Sequence, residues 1–481
     1  MCKSLKKLII IFFILSITII SFNSSGYGIQ QIKNKKNIYT DPLSISTDII
    51  IPDDFPSIQQ GINHANPGDT IFVRSGIYKE SVRINKKGLY LLGENKFNTI
   101  IDIDNNKDDA VVISKDNITF QGFTVTNARG SDESNWNQSG IVIISSNVTI
   151  KNNIISENRF GLMSYTTAYN LTISDNMFIH DGIFPASYIR CYKDYIECTD
   201  NIPIESIMIN VTNNTVNGKT LYFLKNVHDT NVKSDAGQVI LVNCTNVTVK
   251  NQYFSNIDFS IMLYFCSNCT IENNTIADVE GELILFFSEN NTVQNNTISN
   301  AFHAICLDIG AKNNIVRYNN INNNLQGITI ITACSGNIIY GNTIHNNSWG
   351  MKITSYTENL PSHDNVVCEN EFYNNNVGIV LLITFKNPLC FTLNNTITKN
   401  TFFKNKIGIQ ISSSEGNNVT NNIFKRNLVS AVFFDCKQNY WNDNYWNHPR
   451  FLPKPIIGFK MINKIPIPCW LNFDKNPAKN V

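Results

Sequence analysis

Short runs of alternating apolar and polar residues cover most of the chain, and they predict β-strands rather than helices. The runs repeat, because "IENNTIAD", which begins at Ile271, returns as "VQNNTISN" from Val293. Aligned on the asparagine before the threonine or on its equivalent, the copies recur at 22 or 23 residues, with longer intervals where segments are inserted. We call the aligned residues the markers: Asn153, Asn176, Asn214, Gln252, Asn274, Asn296, Asn319, Asn342, Asn370, Asn400 and Asn422.

The spacing of these repeats predicts a solenoid. Each repeat has room for three short strands joined by tight turns, and parallel strands joined through helices need a dozen or more residues between partners. Each strand is therefore expected to pair with its counterpart in the next coil, about 4.8 Å away. The fold class is all-β, a single-stranded parallel β-helix. A marker asparagine at a bend can hydrogen-bond its counterparts along the stack and tolerates left-handed backbone.

Both ends of the predicted rod carry capping segments. Ile58, Ile62 and Ala65 fall at helical spacing, and the following "NPG" ends that short N-terminal helix before the first strand. At the other end, "NYWNDNYWNHPRFLPKPIIG" combines aromatic residues, which can cover an apolar end, with prolines, which cannot extend a strand ladder.

The domain prediction follows from these segments. Residues 1–25, with lysines before an apolar run, form a signal peptide that is either cleaved or retained as an anchor. Residues 26–48 form a linker, residues 49–440 form the β-helix with insertions at about 180–245, and residues 441–481 form an aromatic and proline-rich C-terminal cap. We expect no membrane span after signal removal. A net charge of +1 gives no reason to expect a nucleic-acid partner, and the chain is expected to be a monomer.

Two sets of motifs carry a family resemblance. The segment "FPSIQQGINHANPGDTIFVRSGIYKESVRINKKGLYLLGE" resembles the entry segment of secreted proteins of the pectin lyase-like superfamily. Turns such as "GIQISSSEGNNVTNNIF" and the closing "NYWNDN" are similar to the NosD-type family, whose repeats are also described as carbohydrate-binding and sugar-hydrolase (PbH1) repeats. The resemblance covers residues 50–444 and implies a right-handed coil and a secreted, cell-surface or periplasmic location. The founding member is a copper-delivery accessory protein, whereas most relatives have no assigned chemistry.

The repeat register predicts one polar neighbourhood, because residues at equal offsets stack on one another. Such a patch, spread over two or three coils, suits calcium or proton transfer, since close carboxylates raise one another's pKa. Charged residues are also ordinary at exposed turns, so a solvated surface is the alternative. The candidate acidic patch consists of Asp258, Glu280, Glu282, His303 and Asp308.

The cysteines suggest disulfides rather than a metal site. Cys191 with Cys198, in an insertion, and Cys244 with Cys266, 22 residues apart, are candidate pairs, although stacked free thiols fit the second pair equally well. No second Cys-x-x-Cys accompanies the one that ends at Cys269, and the methionines are scattered. We therefore predict no bound metal and no cofactor, with calcium at the acidic patch as the one exception.

These features favour non-catalytic binding of a polysaccharide or another envelope component. Aromatic residues of the insertions are candidates for stacking on sugar rings, or they pack the insertions onto the rod. Two alternatives remain: a carbohydrate-active enzyme of the lyase, hydrolase or epimerase type, and a NosD-like copper accessory protein. The family hydrolase and epimerase motifs are not found, so whether the chain is an enzyme stays open. The candidate sugar-stacking residues are Tyr188, Tyr192, Tyr195, Tyr222 and Phe223.

Overall fold

The computed structural model describes residues 49–479, with breaks at 106–107, 131–137, 188–189, 193–194, 198–201, 356–359, 384–391, 437, 451 and 463–464. The predicted signal peptide and linker lie outside the described residues. Within the described part of the chain, no helix is long and apolar enough to cross a membrane.

The first half of the described chain is a coil of three parallel ladders, in which each strand pairs with its equivalent in the next coil. Ladder A contains Ile49–Ile51, Thr70–Val73, Tyr90–Gly93, Ile118–Gln121, Val148–Lys151, Thr172–Ser174 and Asn210–Thr212. Ladder B contains Gly76–Tyr78, Thr99–Asp102, Thr124–Thr126, Ile154–Ser156, Met177–Ile179 and Thr215–Val216. Ladder C contains Val82–Ile84, Val111–Ile113, Ser139–Ile143, Phe160–Tyr165 and Ile183–Ser187.

The second half repeats this plan after a hairpin, in which the last strand of ladder B pairs antiparallel with the first strand of ladder D. Ladder D contains Lys219–Lys225, Ala236–Val242, Ile261–Tyr264, Leu283–Phe286, His303–Asp308, Gln326–Ile331, Trp349–Ser355, Val377–Ile383, Ile407–Ser412, Val429–Phe434 and Lys454–Ile462. Ladder E contains His228–Asn231, Thr245–Lys250, Thr270–Glu272, Thr292–Gln294, Ile315–Arg317, Ile338–Tyr340, Val366–Cys368, Thr396–Thr398, Asn418–Thr420 and Tyr440–Asn442. Ladder F contains Tyr253–Ile257, Thr275–Val279, Thr297–Ala301, Asn320–Asn322, Thr343–His345, Glu371–Tyr373, Thr401–Phe403, Ile423–Lys425 and Tyr445–Trp446.

The remaining elements are short. Two strands of the first insertion, Arg190–Tyr192 and Tyr195–Glu197, form an antiparallel hairpin, and a 3₁₀ turn follows at Ile204–Ser206. Ser362–His363 pairs in parallel with Thr392–Leu393. The described chain is therefore a parallel β-helix, as the repeats predict.

Columns of asparagine side chains hold the bends of neighbouring coils together. The Oδ1 atom of Asn319 accepts hydrogen bonds from the backbone N and the Nδ2 of Asn296, at 2.9 and 3.0 Å. The backbone N and the Nδ2 of Asn319 in turn each donate a hydrogen bond to Oδ1 of Asn342, both at 2.9 Å. Two further columns do the same at other bends, one from Asn291 to Asn439 and one from Asn324 to Asn427. The predicted role of the markers in the stack is therefore confirmed.

The left-handed backbone lies one residue before the marker, which corrects the sequence prediction. Asn273, Asn295 and Tyr318 have φ near +55°, whereas the markers that follow them do not. A residue that hydrogen-bonds along the stack must keep its own backbone in register with the next coil, so the preceding residue makes the turn. The recurring glycine has a different cause: a Cβ on Gly327 would lie 2.2 Å from the carbonyl oxygen of Gly350 in the next coil.

The rod is closed at each end by a different element. The helix Ile58–His64 begins at Ser57, whose side chain accepts a hydrogen bond from Gln60 N, and it buries Ile58 and Ile62 as predicted. At the far end the last coil extends to Trp446, beyond the predicted boundary at residue 440. The tail then folds back, because Lys454–Ile462 pairs with Ile465–Asp474 as an antiparallel hairpin.

Candidate metal centre

Three side chains with different donor atoms meet on the outer face of ladder D. Glu282 directly precedes the strand Leu283–Phe286, and His303 and Cys306 belong to the next strand of the ladder, His303–Asp308. The register places Leu283 opposite Ile305, so Glu282 and His303 lie at the starts of two neighbouring strands of ladder D. The carboxylate of Glu282 is in short hydrogen-bond contact with Nδ1 of His303. We call Glu282, His303 and Cys306 the donor triad.

The donor triad is compact and shielded from water. One carboxylate oxygen, one imidazole nitrogen and the Cys306 sulfur all lie within 4.8 Å of one another. The side chains of Glu282 and His303 are each 12% exposed, and Cys306 has no exposed surface. Burial raises the pKa of the Cys306 thiol well above its ordinary value, and the charges of Glu282 and Asp308 raise it further. Without a cation the thiol therefore stays protonated at neutral pH.

A lysine and a second carboxylate lie beside the donor triad. Asp308 ends the same strand as Cys306 and is 2% exposed. Lys352, two coils further along the same column as Cys306, is 8% exposed. Burial lowers the pKa of Lys352, and its interactions with Cys306, Asp308 and Glu282 oppose that shift. The neighbourhood thus concentrates acidic groups around one buried ammonium group.

The last strand of ladder C, Ile183–Ser187, covers part of this face. The hydroxyl of Tyr264 donates a hydrogen bond to the carbonyl oxygen of Pro185, at 2.9 Å. The ring of Phe184 stacks on Phe259 with centroids 4.4 Å apart and lies 6.4 Å from Phe286. Outer-face residues such as Tyr264 and Phe286 are therefore buried, although the equivalent face later in ladder D is partly exposed at Gln410.

The structure separates two members of the predicted acidic patch from the other three. Asp258 turns into the rod, where its carboxylate accepts hydrogen bonds from the backbone N of Gly161, at 2.9 Å, and of Phe259, at 2.8 Å. Glu280 points outward and pairs with Arg129 at 2.6 Å. Equal offsets from the markers place both residues at one bend, and both find partners in the first half of the chain, Asp258 at Gly161 and Glu280 at Arg129. Asp258 and Glu280 thus have partners of their own, whereas Glu282 contacts His303 and lies near Asp308.

Asp258 belongs instead to a buried pair of carboxyl groups. Burial raises its pKa to about 6. Burial and the charge of Asp258 raise the pKa of Asp181 well above its ordinary value. Asp181 occupies an asparagine position, since Nδ2 of Asn158 donates to it at 2.7 Å. The pair lies where the two halves of the coil meet.

The other candidate residues have varied outcomes. Cys244 and Cys266 are free, so the structure has stacked thiols rather than a disulfide. Each thiol donates to the carbonyl two residues before it, Val242 or Tyr264, at 3.4 Å, a bond that a disulfide sulfur cannot make. Tyr222 and Phe223 are half-buried and pack against the core. The structure does not describe the side chains of the remaining candidates, which are Cys191, Cys198, Tyr188, Tyr192 and Tyr195.

Cys306 is the member of the donor triad that sequence reasoning missed. The residues that pair with the Cys306 position in the two preceding coils are Ile284 and Met262. The sequence pattern therefore predicts that Cys306 is one more buried apolar residue. Its spacing of three from His303, combined with the predicted stacking of His303 near Glu282, is the signal that could have found it.

Comparison with known proteins gives a family and a set of structures. The family model described as "Periplasmic copper-binding protein (NosD)" matches residues 187–387 and 389–458, more than half of the chain. No curated protein matches the sequence.

Three solved structures illustrate the structural similarity. The mannuronan C-5 epimerase AlgE4 A-module of Azotobacter vinelandii is 13% identical, with 80% of this chain and 97% of that chain covered and a TM-score of 0.29. DFA-IIIase of Arthrobacter chlorophenolicus A6 without its lid is 12% identical, with coverage of 80% and 85% and a TM-score of 0.36. An exopolygalacturonase of Thermotoga maritima is 9% identical, with coverage of 85% and 87% and a TM-score of 0.31.

Proposed function

Because the chain belongs to the NosD family of periplasmic copper-binding proteins, we propose that it is a periplasmic, non-catalytic protein that binds a divalent transition-metal ion at the donor triad. The observation that carries this proposal is the convergence of a carboxylate, an imidazole and a thiol from neighbouring coils within 4.8 Å.

The chemistry of the donors fits copper or zinc better than calcium. Imidazole nitrogen and thiolate sulfur suit copper and zinc, whereas calcium takes six to eight oxygen ligands. Among the described residues, the carboxylate oxygens at this site come from Glu282 and the nearby Asp308. When a metal is bound, it would hold the Cys306 sulfur as a thiolate and offset the acidic charge of the site. The residues present therefore fit the ion that the family description names.

The fold itself does not require these three side chains. In the next coil, the register partners of His303 and Cys306 are Gln326 and Thr329. The position of Glu282, just before the strand, is filled by Ser260 in the coil before and by Ala304 in the coil after. A solenoid that accepts glutamine, threonine and alanine in these columns has no packing need for histidine, cysteine and glutamate.

Burial of the same groups supports binding rather than catalysis. A nucleophilic cysteine needs a lowered pKa and access to substrate, but Cys306 has a raised pKa and no exposed surface. A carbohydrate-active enzyme working from the predicted acidic patch is the second candidate, and turnover of a uronate polymer that is lost in Glu282→Ala would favour it. Binding of an envelope polysaccharide remains a prediction, which a glycan-array screen of the chain tests. It has less support because Tyr222 and Phe223 pack against the core.

Cobalt(II) titration under anaerobic, reducing conditions tests the proposal, with cobalt as a spectroscopic probe for the copper and zinc class. We expect one cobalt ion with a thiolate-to-metal charge-transfer band, displaced by zinc. The variants His303→Gln and Cys306→Thr copy the next coil and should abolish the band while retaining the wild-type melting curve without metal. Cys334→Ser, at a buried thiol outside the triad, is the matched control and should bind as wild type does. A band that survives in Cys306→Thr would contradict the proposal.

A further inference from the structure

Cations without carboxylate partners gather in the last coils of the rod. Residues 400–481 contain eleven lysine and arginine residues against four aspartate and glutamate residues, whereas the whole chain has 39 against 38. Among the described residues, the last salt bridge along the chain joins Lys399 to Glu369 at 3.7 Å. The cations that follow it without a salt-bridge partner in the described part of the chain include Lys404, Lys406, Lys425, Arg426, Arg450 and Lys454.

Two columns bring three of these cations and a leucine together at the bend between ladders F and D. Lys404 and Arg426 each directly follow a strand of ladder F, and those two strands pair with each other. Lys406 and Leu428 each directly precede a strand of ladder D, and those two strands also pair. Consecutive coils lie about 4.8 Å apart, so the four side chains share one edge of the rod. We call Lys404, Lys406, Arg426 and Leu428 the basic edge.

Contacts at this end bring like charges close together. The Nζ of Lys404 lies 4.9 Å from the centroid of the Phe403 ring, and the guanidinium carbon of Arg426 lies 5.9 Å from the same centroid. In the next coil, burial and the charge of Arg450 lower the pKa of Lys454. Cations that lie so close repel one another, and an anionic partner removes that repulsion.

The two most exposed large apolar side chains of the described residues lie on the basic edge and beside it. Leu428 is 83% exposed, and Leu452 is 76% exposed. Leu428 directly precedes the strand Val429–Phe434, and Leu452 lies two residues before the strand Lys454–Ile462, with which it pairs. The two leucines therefore lie in neighbouring coils, at the bend that carries the cations.

The fold does not explain why cations occupy this edge. The preceding coil carries Asn374 at the position of Lys404 and Asn376 at the position of Lys406. Between them in sequence lies Asn375, whose buried side chain makes the hydrogen bond to the next coil, at 3.0 Å. Neutral polar side chains therefore satisfy both columns, and the charges of the basic edge are available to an external partner.

We propose that the basic edge docks the C-terminal end of the rod onto a bilayer surface that contains anionic phospholipid. The lysine and arginine side chains contact lipid phosphates, and Leu428 and Leu452 enter the boundary between head groups and acyl chains. A soluble polyanion matches the cations but offers no apolar phase to the exposed leucines, which favours the lipid surface. The proposal does not depend on metal binding at the donor triad.

Vesicle flotation of the full chain tests this proposal, using phosphatidylcholine vesicles with and without phosphatidylglycerol. We expect the wild type to bind the anionic vesicles more tightly and to lose that preference as salt is added. The combined variant Lys404→Asn, Lys406→Asn and Arg426→Asn gives these columns the residue type of the preceding coil. It should weaken binding to anionic vesicles at least about tenfold, since each cation near an anionic surface contributes about fivefold.

A second combined variant controls for the loss of net charge. It replaces three exposed lysines that lie elsewhere on the rod and should change binding to anionic vesicles by less than about twofold, because their charges are screened from the surface. All variants have the same N-terminus, so the comparison between the two kinds of vesicle isolates the basic edge. The control variant is Lys115→Asn, Lys250→Asn and Lys312→Asn.

The leucine distinguishes a lipid surface from a soluble polyanion. Leu428→Asn should weaken binding to anionic vesicles about tenfold and leave elution from heparin unchanged. Leu325→Asn is the matched control, because Leu325 is an exposed leucine four coils earlier in the same column, and it should bind as the wild type does. The proposal is overturned if the wild type binds heparin but not anionic vesicles, or if the three asparagine replacements at the basic edge leave vesicle binding unchanged.

Discussion

At the scale of single residues, two adjacent residues at each bend have different structural roles. The marker asparagine bonds the coils, and the residue before it takes the left-handed turn, as at Asn319 and Tyr318. The marker column follows from the sequence because its period is regular. The turn position is less regular, since asparagine, tyrosine, glycine and lysine all fill it at Asn295, Tyr318, Gly341 and Lys399.

The asparagine column leads to a stability prediction. Asn319→Ala removes the acceptor of two buried donors on Asn296, so we expect the free energy of unfolding to fall by about 2 to 5 kcal/mol. Asn320→Ala, at the exposed next residue, should change it by less than about 0.5 kcal/mol. Chemical denaturation of both variants is the measurement, and equal losses would contradict the role of the column.

The buried carboxyl pair predicts a pH dependence of stability. Asp258 has a folded pKa of about 6, raised above the ordinary value of 3.8 by burial, so the folded state binds its proton more tightly than the unfolded state does. The stabilising contribution is present below pH 4 and is lost as the pH rises to about 6, by up to about 3 kcal/mol. Asp181 and Arg129 are the charged groups nearby.

Unfolding measured from pH 4 to pH 8 tests this prediction. Asp258→Asn should reduce the wild-type decline between pH 4 and pH 6, whatever its effect on the absolute stability. Lys475→Ala, at an exposed residue, serves as the control and should keep the wild-type slope. An identical slope in Asp258→Asn would assign the pH dependence to other groups.

At the scale of elements, the strands and their stacking could be predicted from the sequence. The hydrogen-bond partners of side chains at the bends could not all be predicted. Glu282 and His303 meet as the register requires. Asp258 departs from it because its partner Gly161 lies 97 residues earlier. Cys306 was missed because outer-face residues of ladder D such as Ile284 and Cys306 are buried, so alternation no longer separates inside from outside there.

The C-terminal hairpin supplies the last partner of the marker column. One carboxylate oxygen of Asp474 accepts from Asn444 N and Nδ2, both at 3.0 Å, and from Trp446 Nε1 at 2.8 Å. Asp474→Ala leaves these buried donors unpaired, so we expect a loss of about 3 kcal/mol and faster proteolysis near Trp446. Lys475→Ala should lack both effects. Wild-type proteolysis in Asp474→Ala would show that the hairpin is not a cap.

At the scale of the whole molecule, the described part of the chain is a stack of similar coils that differ in chemistry at a few positions. Deleting residues 319–341 removes one complete coil between the markers Asn319 and Asn342. We expect a soluble protein with the far-ultraviolet circular dichroism of the wild type, because Asn296 then meets Asn342. Deleting residues 319–330 removes about half a coil and should give insoluble protein. Folding of both deletions would contradict a register set by columns.

Crystals soaked anaerobically with cobalt or zinc, with anomalous diffraction recorded at the edge of the metal, test the metal-binding function most directly. We predict an anomalous peak within the donor triad, about 2.3 Å from the sulfur of Cys306 and about 2.0 to 2.1 Å from a ring nitrogen of His303. Crystals with full metal uptake but no peak between Glu282, His303 and Cys306 would contradict the proposed function.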